Sequence, residues 1–198
     1  MGTRNLTVVV KDKKVRVAQY GQWDGYPSGV GKDIANFIQK KMDLRKFKKA
    51  LDNSQFISDE EITALWKKAG ADDSGLVNMI VAQKFNHTNP TLSRETGANV
   101  LEIIQETGGA QLRNAIDFAG DSLFCEWAYV IDLDKKVVEV YQGFNKTPLK
   151  KRERFYKYTN PASANGGYYP VKLLAKYPFR SFTVSAMTKL EKSLNNEE

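Results

Sequence analysis

Two strand-hairpin patterns lie on either side of a block of helical periodicity, and this order constrains the fold more than any other feature. Residues 6–10 form a β-branched run and residues 14–20 alternate, with a short turn between them. The second hairpin pattern joins residues 123–131 to residues 137–141. Because the helices are grouped and do not alternate with strands, the chain predicts an α+β fold with an antiparallel sheet built from the two hairpins.

The helical block covers residues 44–110 approximately, and we expect it to be a helical insertion in a single domain spanning residues 1–198. Ser58 and Glu61 have the spacing of a capping box, in which each residue satisfies a backbone amide of the other. Gly70 is suited to end the helix that they start. This segment is therefore a helix with both ends marked in the sequence.

The remaining elements are predicted from shorter patterns. An apolar stripe over residues 34–42 indicates a helix directly before the helical block. Asp73 or Ser74 is expected to cap a later helix. Residues 170–174 are expected to form a final strand, and residues 185–194 a C-terminal helix.

The charge of the chain favours anionic partners. The chain is 41% hydrophobic and 27% charged, as expected for a globular protein, with a formal net charge of +7 and a pI near 9.3. Such a balance favours nucleic acid, nucleotides or an acidic protein surface, although solvated helix faces explain it equally well. The basic residues concentrate in two places: Lys40, Lys41, Arg45, Lys46, Lys48 and Lys49 in the helical part, and residues 150–154.

Several features predict a cytoplasmic protein with no membrane attachment. Cys125 is the single cysteine, so no internal disulfide can form and a reducing compartment fits. No apolar run approaches the roughly 20 residues that span a bilayer. The first residues lead directly into a strand pattern, which argues against a signal peptide, and Leu6 breaks the myristoylation pattern.

A glycine-rich stretch between the first hairpin and the first helix is the candidate binding region. Its eleven residues, 21–31, hold four glycines together with Trp23 and Tyr26. Glycines allow the backbone to approach a ligand closely, and large rings are costly to leave in water. The composition predicts a ligand-binding loop without naming the ligand.

The same stretch is not a phosphate-binding P-loop. That motif places two glycines five positions apart, followed by Lys and then Ser or Thr. Gly25 and Gly31 are six positions apart, and Lys32 is followed by Asp33. A looser possibility stays open, because backbone amides near Gly29 and Gly31 at a helix N-terminus can bind an anion. A plain helix entry is the alternative.

The sequence gives little support for metal or thiol chemistry, and we expect no metal and no cofactor. His87 is the one histidine and is expected at the surface or at a helix end. An all-carboxylate metal site is possible at Asp72–Asp73 or at Asp132 and Asp134. We expect these residues instead to cap a helix and to form a hairpin turn. Cys125 lies in a strand pattern and is expected to be a small core residue.

Two further patterns leave the activity open. Strands at both ends of the chain would suit an N-terminal-nucleophile hydrolase, but Gly2 has no side chain and exposing Thr3 requires a further cleavage. Residues 152–158 interleave arginine and lysine with aromatic rings, which suits base stacking and phosphate contacts. An amphipathic strand with a basic outer face has the same pattern.

Three segments of the chain share a pattern with known proteins: Thr3-Arg4, residues 20–29 with the sequence Tyr-Gly-Gln-Trp-Asp-Gly-Tyr-Pro-Ser-Gly, and residues 125–132. In these segments the chain resembles a family of uncharacterised phage and prophage proteins. Members of that family begin with Gly- or Ser-Thr-Arg and carry a Trp- or Phe-Asp-Gly-Tyr-Pro-x-Gly loop after the second strand. The resemblance covers about the first 40 residues and residues 120–145. It implies a phage source and the host cell cytoplasm, and it brings no catalytic residue, because the family has no agreed activity.

The leading hypothesis is a phage anti-defence protein that sequesters an anionic, nucleotide-like immune signal, with aromatic rings stacking on a base and cations and amides holding phosphate. The first alternative is an inhibitor that binds a host defence protein or nucleic acid through the basic helical surface. The second is an N-terminal-nucleophile or signal-cleaving enzyme. A homo-oligomer is compatible with each. The expected ligand-binding residues lie in the loop and the strands beside it: Arg4, Trp23, Asp24, Tyr26, Gly29, Gly31, Lys32 and Trp127.

Overall fold

The predicted α+β class is confirmed in the computed structural model, which describes residues 2–72, 77–158 and 167–196. A five-stranded sheet forms the centre, and a two-stranded sheet lies beside it. Both predicted hairpins are present, although the first strand of the second hairpin begins at Trp127, later than expected. The strands are β1 Asn5–Lys11, β2 Lys14–Gly21, β3 Gln55–Phe56, β4 Gln111–Leu112, β5 Trp127–Asp132, β6 Val137–Gln142 and β7 Lys172–Pro178.

The central sheet is mixed where the sequence predicted an antiparallel one. Its strand order is β2-β1-β5-β6-β7, and the β1–β5 pair at its centre is parallel while the other three pairs are antiparallel. The two hairpins therefore lie side by side through their first strands. The long helical block between them returns the chain to the same end of the sheet, which is what a parallel pairing requires.

The helices lie mainly between the hairpins, as the sequence indicates. The first is flanked by two π-helical turns, Pro27–Gly31 and Phe37–Lys41, so that the helical path runs without interruption from the glycine-rich loop. The helices are α1 Lys32–Asn36, α2 Leu44–Asp52, α3 Asp59–Ala69, α4 Met79–Thr88, α5 Val100–Thr107 and α6 Val184–Asn195. Among the described residues, no helix is long and apolar enough to cross a bilayer.

Strand alternation gives the sheet two apolar faces, each with its own core. Val9, Tyr129 and Ile131 face helices α1, α2, α5 and α6 in the larger cluster. Leu6 and Val130 belong to the second cluster, on the opposite face, which residues 115–119 and 149–158 cover with turns and short 3₁₀ segments. A strand covered on both faces has little solvent-exposed surface, so the accessible parts of this sheet are its edges.

The helical block divides between the main core and a separate hairpin. Apolar side chains of α2 and α5 belong to the larger cluster, whereas α3 and α4 pack on each other around the stacked rings of Trp66 and Phe85, whose centroids are 3.6 Å apart. The capping box of Ser58 and Glu61 is confirmed. Helix α4 begins later than predicted, with Asn78 as its N-cap, and residues 73–74 lie outside the described residues.

Two other predicted elements differ from the structure. Residues 152–158, expected as an amphipathic strand or a stacking segment, form turns and a 3₁₀ helix, Tyr156–Tyr158, because Arg154 and Phe155 are anchored on the sheet. The last strand, β7, starts and ends later than the predicted 170–174. The C-terminal helix α6 agrees with its prediction to within a residue at each end.

Candidate functional site

The backbone amides of the glycine-rich loop are already used inside the loop, which corrects the expectation of an anion site there. The amides of Gly29 and Gly31 donate to the carbonyl of Tyr26 at 3.0 and 3.3 Å, and the amide of Val30 donates to Asp24 at 2.8 Å. The turn of helix that these bonds close leaves none of the three amides for a phosphate. The loop is closed by its own hydrogen bonds at the start of the first helix.

The two glycines assigned to the ligand serve close packing instead. A Cβ at Gly29 would overlap the carbonyl oxygen of Asp24, which itself takes a left-handed conformation with φ of 51°. Gly31 is buried, and a Cβ there would press on Met187 of α6 and on the ring of Tyr129. Gly31 is therefore not accessible to a ligand, because the sheet and α6 cover it.

Helix α6 and strand β5 hold the glycine-rich loop in place. The buried Tyr129 hydroxyl donates to the carbonyl of Gly25 at 2.8 Å, and burial raises the pKa of that phenol well above its usual range. The Ser28 amide donates to the Glu191 carboxylate of α6 at 2.7 Å. The Glu191 carboxylate thus lies beside the helix N-terminus, where we predicted a bound anion from the sequence.

The aromatic residues predicted to stack on a base divide between core and surface. Trp127 is only 6% exposed and belongs to the larger core cluster, so it is not a ligand-binding residue. Trp23 and Tyr26 are about half exposed, at 50% and 47%. Lys32, the first residue of α1, is exposed directly after the loop. The Trp23 indole Nε1 donates to the Glu95 carboxylate. This hydrogen bond connects the loop to the segment of residues 92–95.

Arg4 lies at the same end of the sheet, in a partly buried setting. Its guanidinium is 4.7 Å from the centre of the Phe124 ring, in a cation–π contact. Its Nε is 3.7 Å from the Glu126 carboxylate, and Glu126 also accepts the Arg4 amide at 3.2 Å. Arg4 is therefore held by Phe124 and Glu126.

A cleft lies beside the loop, along the outer edge of β2. This cleft, called the β2 groove below, has a volume of about 540 Å³, within the roughly 300–1,000 Å³ typical of small-molecule sites. Its walls come from β2, from the segment after α4 and from the segment after β4. They are formed by Gln19, Tyr20, Leu92, Arg94, Arg113, Asn114, Ala115, Asp117 and Phe118.

An aromatic pair forms one wall of the β2 groove. The rings of Tyr20 and Phe118 meet edge to face, with centroids 5.0 Å apart. The Tyr20 hydroxyl donates to the side-chain oxygen of Gln22 at 2.6 Å, and burial raises its pKa, so the phenol is neutral at physiological pH. Each of these rings has a flat apolar face, which is the kind of surface on which a planar ligand stacks.

Two exposed arginines contribute to the same groove. Arg94 pairs with Glu95 at 3.2 Å, and Arg113 pairs with Asp59 of α3 at 2.9 Å, while their side chains stay 68% and 60% exposed. Exposed pairs of this kind are weak, since water and salt screen them. Each guanidinium has further N–H groups beyond those its carboxylate partner uses, and these can meet an anion in the groove.

Backbone hydrogen bonds fix these side chains along the edge strand. The amide of Gln22 donates to the Arg94 carbonyl at 3.1 Å, and the amide of Ala115 donates to Ala18 at 3.0 Å. Glu95 joins the groove to the loop, because it accepts from both Arg94 and the Trp23 indole. The β2 edge and the glycine-rich loop are therefore one continuous surface.

Sequence reasoning did not find the groove residues, because they come from three distant segments. Tyr20 is counted among residues 14–20 of the predicted hairpin, and Arg94, Arg113, Asn114, Asp117 and Phe118 match no motif. The one usable signal is that Tyr20 ends an edge strand next to the glycine-rich loop. The residues that the structure adds become neighbours only when segments 92–94 and 113–118 dock on β2.

A second cluster of charged side chains is buried at the other end of the sheet. Arg154 donates from Nε to Glu139 at 2.7 Å and from Nη2 to Asp132 at 2.9 Å. Glu139 also accepts the Tyr141 hydroxyl at 2.8 Å, and Lys176 lies 3.3 Å away. Both carboxylates are nearly fully buried and have several partners each, so this cluster fastens the segment after β6 to the sheet.

The other residues singled out in the sequence have structural positions. Cys125 is buried, and burial raises the pKa of its thiol, which opposes a role as nucleophile. Thr3 is buried, and its carbonyl accepts the Gly25 amide at 3.0 Å, so the loop covers the predicted alternative nucleophile. The carboxylate of Asp134 accepts the amides of Asp12 and Lys13 and so joins the turns of the two hairpins.

The basic helical part is exposed on one helix. Asp43 caps α2, and the buried side of that helix packs into the larger core. Its other side presents Arg45, Lys46 and Lys49 to solvent, and these three side chains form no ion pair within the part of the chain that the structure describes. This surface, called the α2 basic face below, is a second candidate for an anionic partner.

Comparison of the chain with protein-family models, with curated protein sequences and with solved structures gives no match.

Proposed function

We propose that this protein binds an anionic, nucleotide-like small molecule in the β2 groove. One observation carries the proposal: the Tyr20–Phe118 ring pair and two exposed arginines, Arg94 and Arg113, line a single cleft of about 540 Å³. A base needs a flat apolar surface, and a phosphate needs N–H donors with positive charge. The net charge of +7 raises the local concentration of any such anion.

The carboxylates beside the two arginines define how a phosphate would bind. Glu95 and Asp59 each pair with one of the two guanidinium groups at the surface, and solvent screens both pairs. A phosphate brings more negative charge and more acceptor oxygens than one carboxylate, and it accepts from the N–H groups that the carboxylates leave unused.

The proposed biological role of this binding is sequestration of the nucleotide. The resemblance of the loop and the second hairpin to phage and prophage proteins supports a role in the host cell cytoplasm, where a bound nucleotide signal is withdrawn from a defence system. The proposal differs from the sequence-based hypothesis in the place of the ligand. It moves from the loop amides and Trp127 to the neighbouring groove, with Trp23 at its border.

The test is calorimetric titration of the protein with the common nucleoside monophosphates and with cyclic dinucleotides. We expect the double replacement Arg94→Gln with Arg113→Gln to weaken binding about 30-fold, because each lost charged hydrogen bond contributes about 1.5 to 3 kcal/mol in part offset by solvent exposure. The thermal midpoint should stay unchanged, since both side chains are exposed.

A matched double replacement, Arg180→Gln with Lys189→Gln, removes the same charge away from both the groove and the α2 basic face and serves as the control. Both of its side chains are exposed. If the control weakens binding as much as the groove variant does, general charge attracts the ligand and the groove is not the site. If the unmodified protein binds none of the nucleotides, the proposed function is wrong.

The α2 basic face supports a second function, binding to nucleic acid or to an acidic surface of a host defence protein. Arg45, Lys46 and Lys49 project from one helix that is rigidly packed on the core. We expect replacing all three with glutamate to weaken binding to double-stranded DNA at least tenfold and to flatten its dependence on salt. Filter binding at two salt concentrations measures this, and an unchanged slope would contradict it.

A further inference from the structure

We propose that the β2 groove selects guanine among the nucleotide bases, an inference that rests on the proposed binding of a nucleotide there. Two polar side chains of the groove, Asn114 and Asp117, precede the ring of Phe118 in the chain. They supply one donor and one pair of acceptors at the wall on which a base would stack. Neither side chain belongs to the proposed phosphate-binding pair, Arg94 and Arg113.

Asp117 presents an uncommitted carboxylate to the groove. It lies in the first turn of the 3₁₀ segment Ile116–Gly120 and is exposed to solvent. Within the described residues, its carboxylate forms neither an ion pair nor a hydrogen bond, although Arg113 lies in the same groove wall. Its acceptor oxygens are therefore available to a ligand in the groove.

Asn114 has its acceptor used, and its donor has no partner among the residues that the structure describes. Its side-chain oxygen accepts the Ile116 amide at 3.2 Å, so the NH₂ group points away from that bond. Gln19 cannot take the same role, because its side-chain nitrogen donates to the carbonyls of Ser93 and Tyr20. Next to Phe118, the groove therefore presents one amide donor group from Asn114 and two carboxylate acceptors from Asp117.

This set complements guanine and opposes adenine. Guanine presents an acceptor, O6, next to two adjacent donors, N1–H and the N2 amino group, and a carboxylate accepts both donors at once. Adenine presents the acceptor N1 where guanine presents a donor, so a carboxylate there would face a lone pair. A bidentate pair of this kind discriminates strongly between bases, because the wrong base leaves polar groups unpaired.

The experiment compares GMP, IMP, AMP and XMP as calorimetric ligands for the unmodified protein and for the variant Asp117→Asn. We expect the unmodified protein to bind GMP at least tenfold more tightly than AMP and IMP, since IMP lacks the N2 amino group. In Asp117→Asn the side-chain NH₂ replaces one acceptor, so the preference should change from GMP to XMP, which has a carbonyl oxygen at C2. Glu106→Gln, an exposed carboxylate on α5, is the control and should leave the order unchanged.

The outcomes separate this inference from the proposed function. Equal binding of GMP and AMP, with loss of both in the Arg94 and Arg113 variant, would leave the groove as a nucleotide site and overturn guanine selection. A preference for GMP that survives unchanged in Asp117→Asn would also overturn it, because another residue would then read the base. Failure of every nucleotide to bind would overturn the proposed function itself.

Discussion

Replacing Arg154 with methionine should lower the free energy of unfolding by about 3 to 5 kcal/mol, because it leaves two buried carboxylates without their shared cation. Asp132 and Glu139 have side chains only 3% and 7% exposed, and Arg154 bonds to both. Methionine fills much of the same space, so the loss measures charge and hydrogen bonding more than packing. Urea denaturation at neutral pH gives the difference directly.

The effect should depend on pH in a defined direction. Burial alone would raise the pKa of Glu139, but hydrogen bonds from Arg154 and Tyr141 outweigh burial and lower it. A carboxyl whose pKa is lower in the folded state stabilises the fold above its unfolded pKa of about 4.3, and this contribution is lost as pH falls through the folded value. The difference between Arg154→Met and the unmodified protein should therefore shrink below about pH 4.

Arg152→Met is the matched control, because Arg152 is exposed and lines a surface cleft together with Arg154 and Glu139. We expect it to change stability by less than about 0.5 kcal/mol. Equal losses for the two variants would mean that the apolar stems of the arginines, and not the ion pairs with Asp132 and Glu139, hold the segment on the sheet.

Gly29→Ala should destabilise the protein by about 3 kcal/mol while leaving nucleotide affinity unchanged. The added methyl group meets the backbone carbonyl of Asp24, which cannot turn aside as a flexible side chain would. That carbonyl accepts the Val30 amide, so a shift also breaks the hydrogen bond that closes the loop. The measurements are thermal unfolding and calorimetric titration below the unfolding transition.

This variant distinguishes the structural and ligand-binding interpretations of the glycine-rich loop. If the loop amides bind phosphate, Gly29→Ala should abolish binding with little loss of stability, the reverse of our expectation. Ser28→Ala is the control, since Ser28 is exposed and its amide stays able to donate to Glu191. It should alter neither quantity.

The local elements of this protein can be predicted from sequence because short-range physics specifies them. Alternation in residues 14–20 predicts a strand, and Ser58 with Glu61 predicts the start of a helix from hydrogen bonds that both residues make locally. The grouping of helices between two hairpins predicts the α+β class. The first two inferences depend on neighbours within a few positions, and the third depends on the order of elements along the chain, so none of them needs knowledge of tertiary contacts.

The structure decides what the local patterns leave open. The direction in which the hairpins meet depends on where the helical block returns the chain, so the parallel pairing of β1 with β5 has no local signature. Trp127 and Trp23 are both aromatic residues beside strands, and only packing places one in the core and the other at the surface.

The candidate site shows the same division. The sequence by itself determined the glycine-rich loop, its aromatic residues and the excess of positive charge. Only the tertiary structure shows that Tyr26, Asp24 and Glu191 already satisfy the loop amides. It also brings Arg94 and Arg113 to the edge of β2, since hydrogen bonds between distant segments place them there. A site assembled from three separate segments has no period or spacing in the chain, and folding alone creates it.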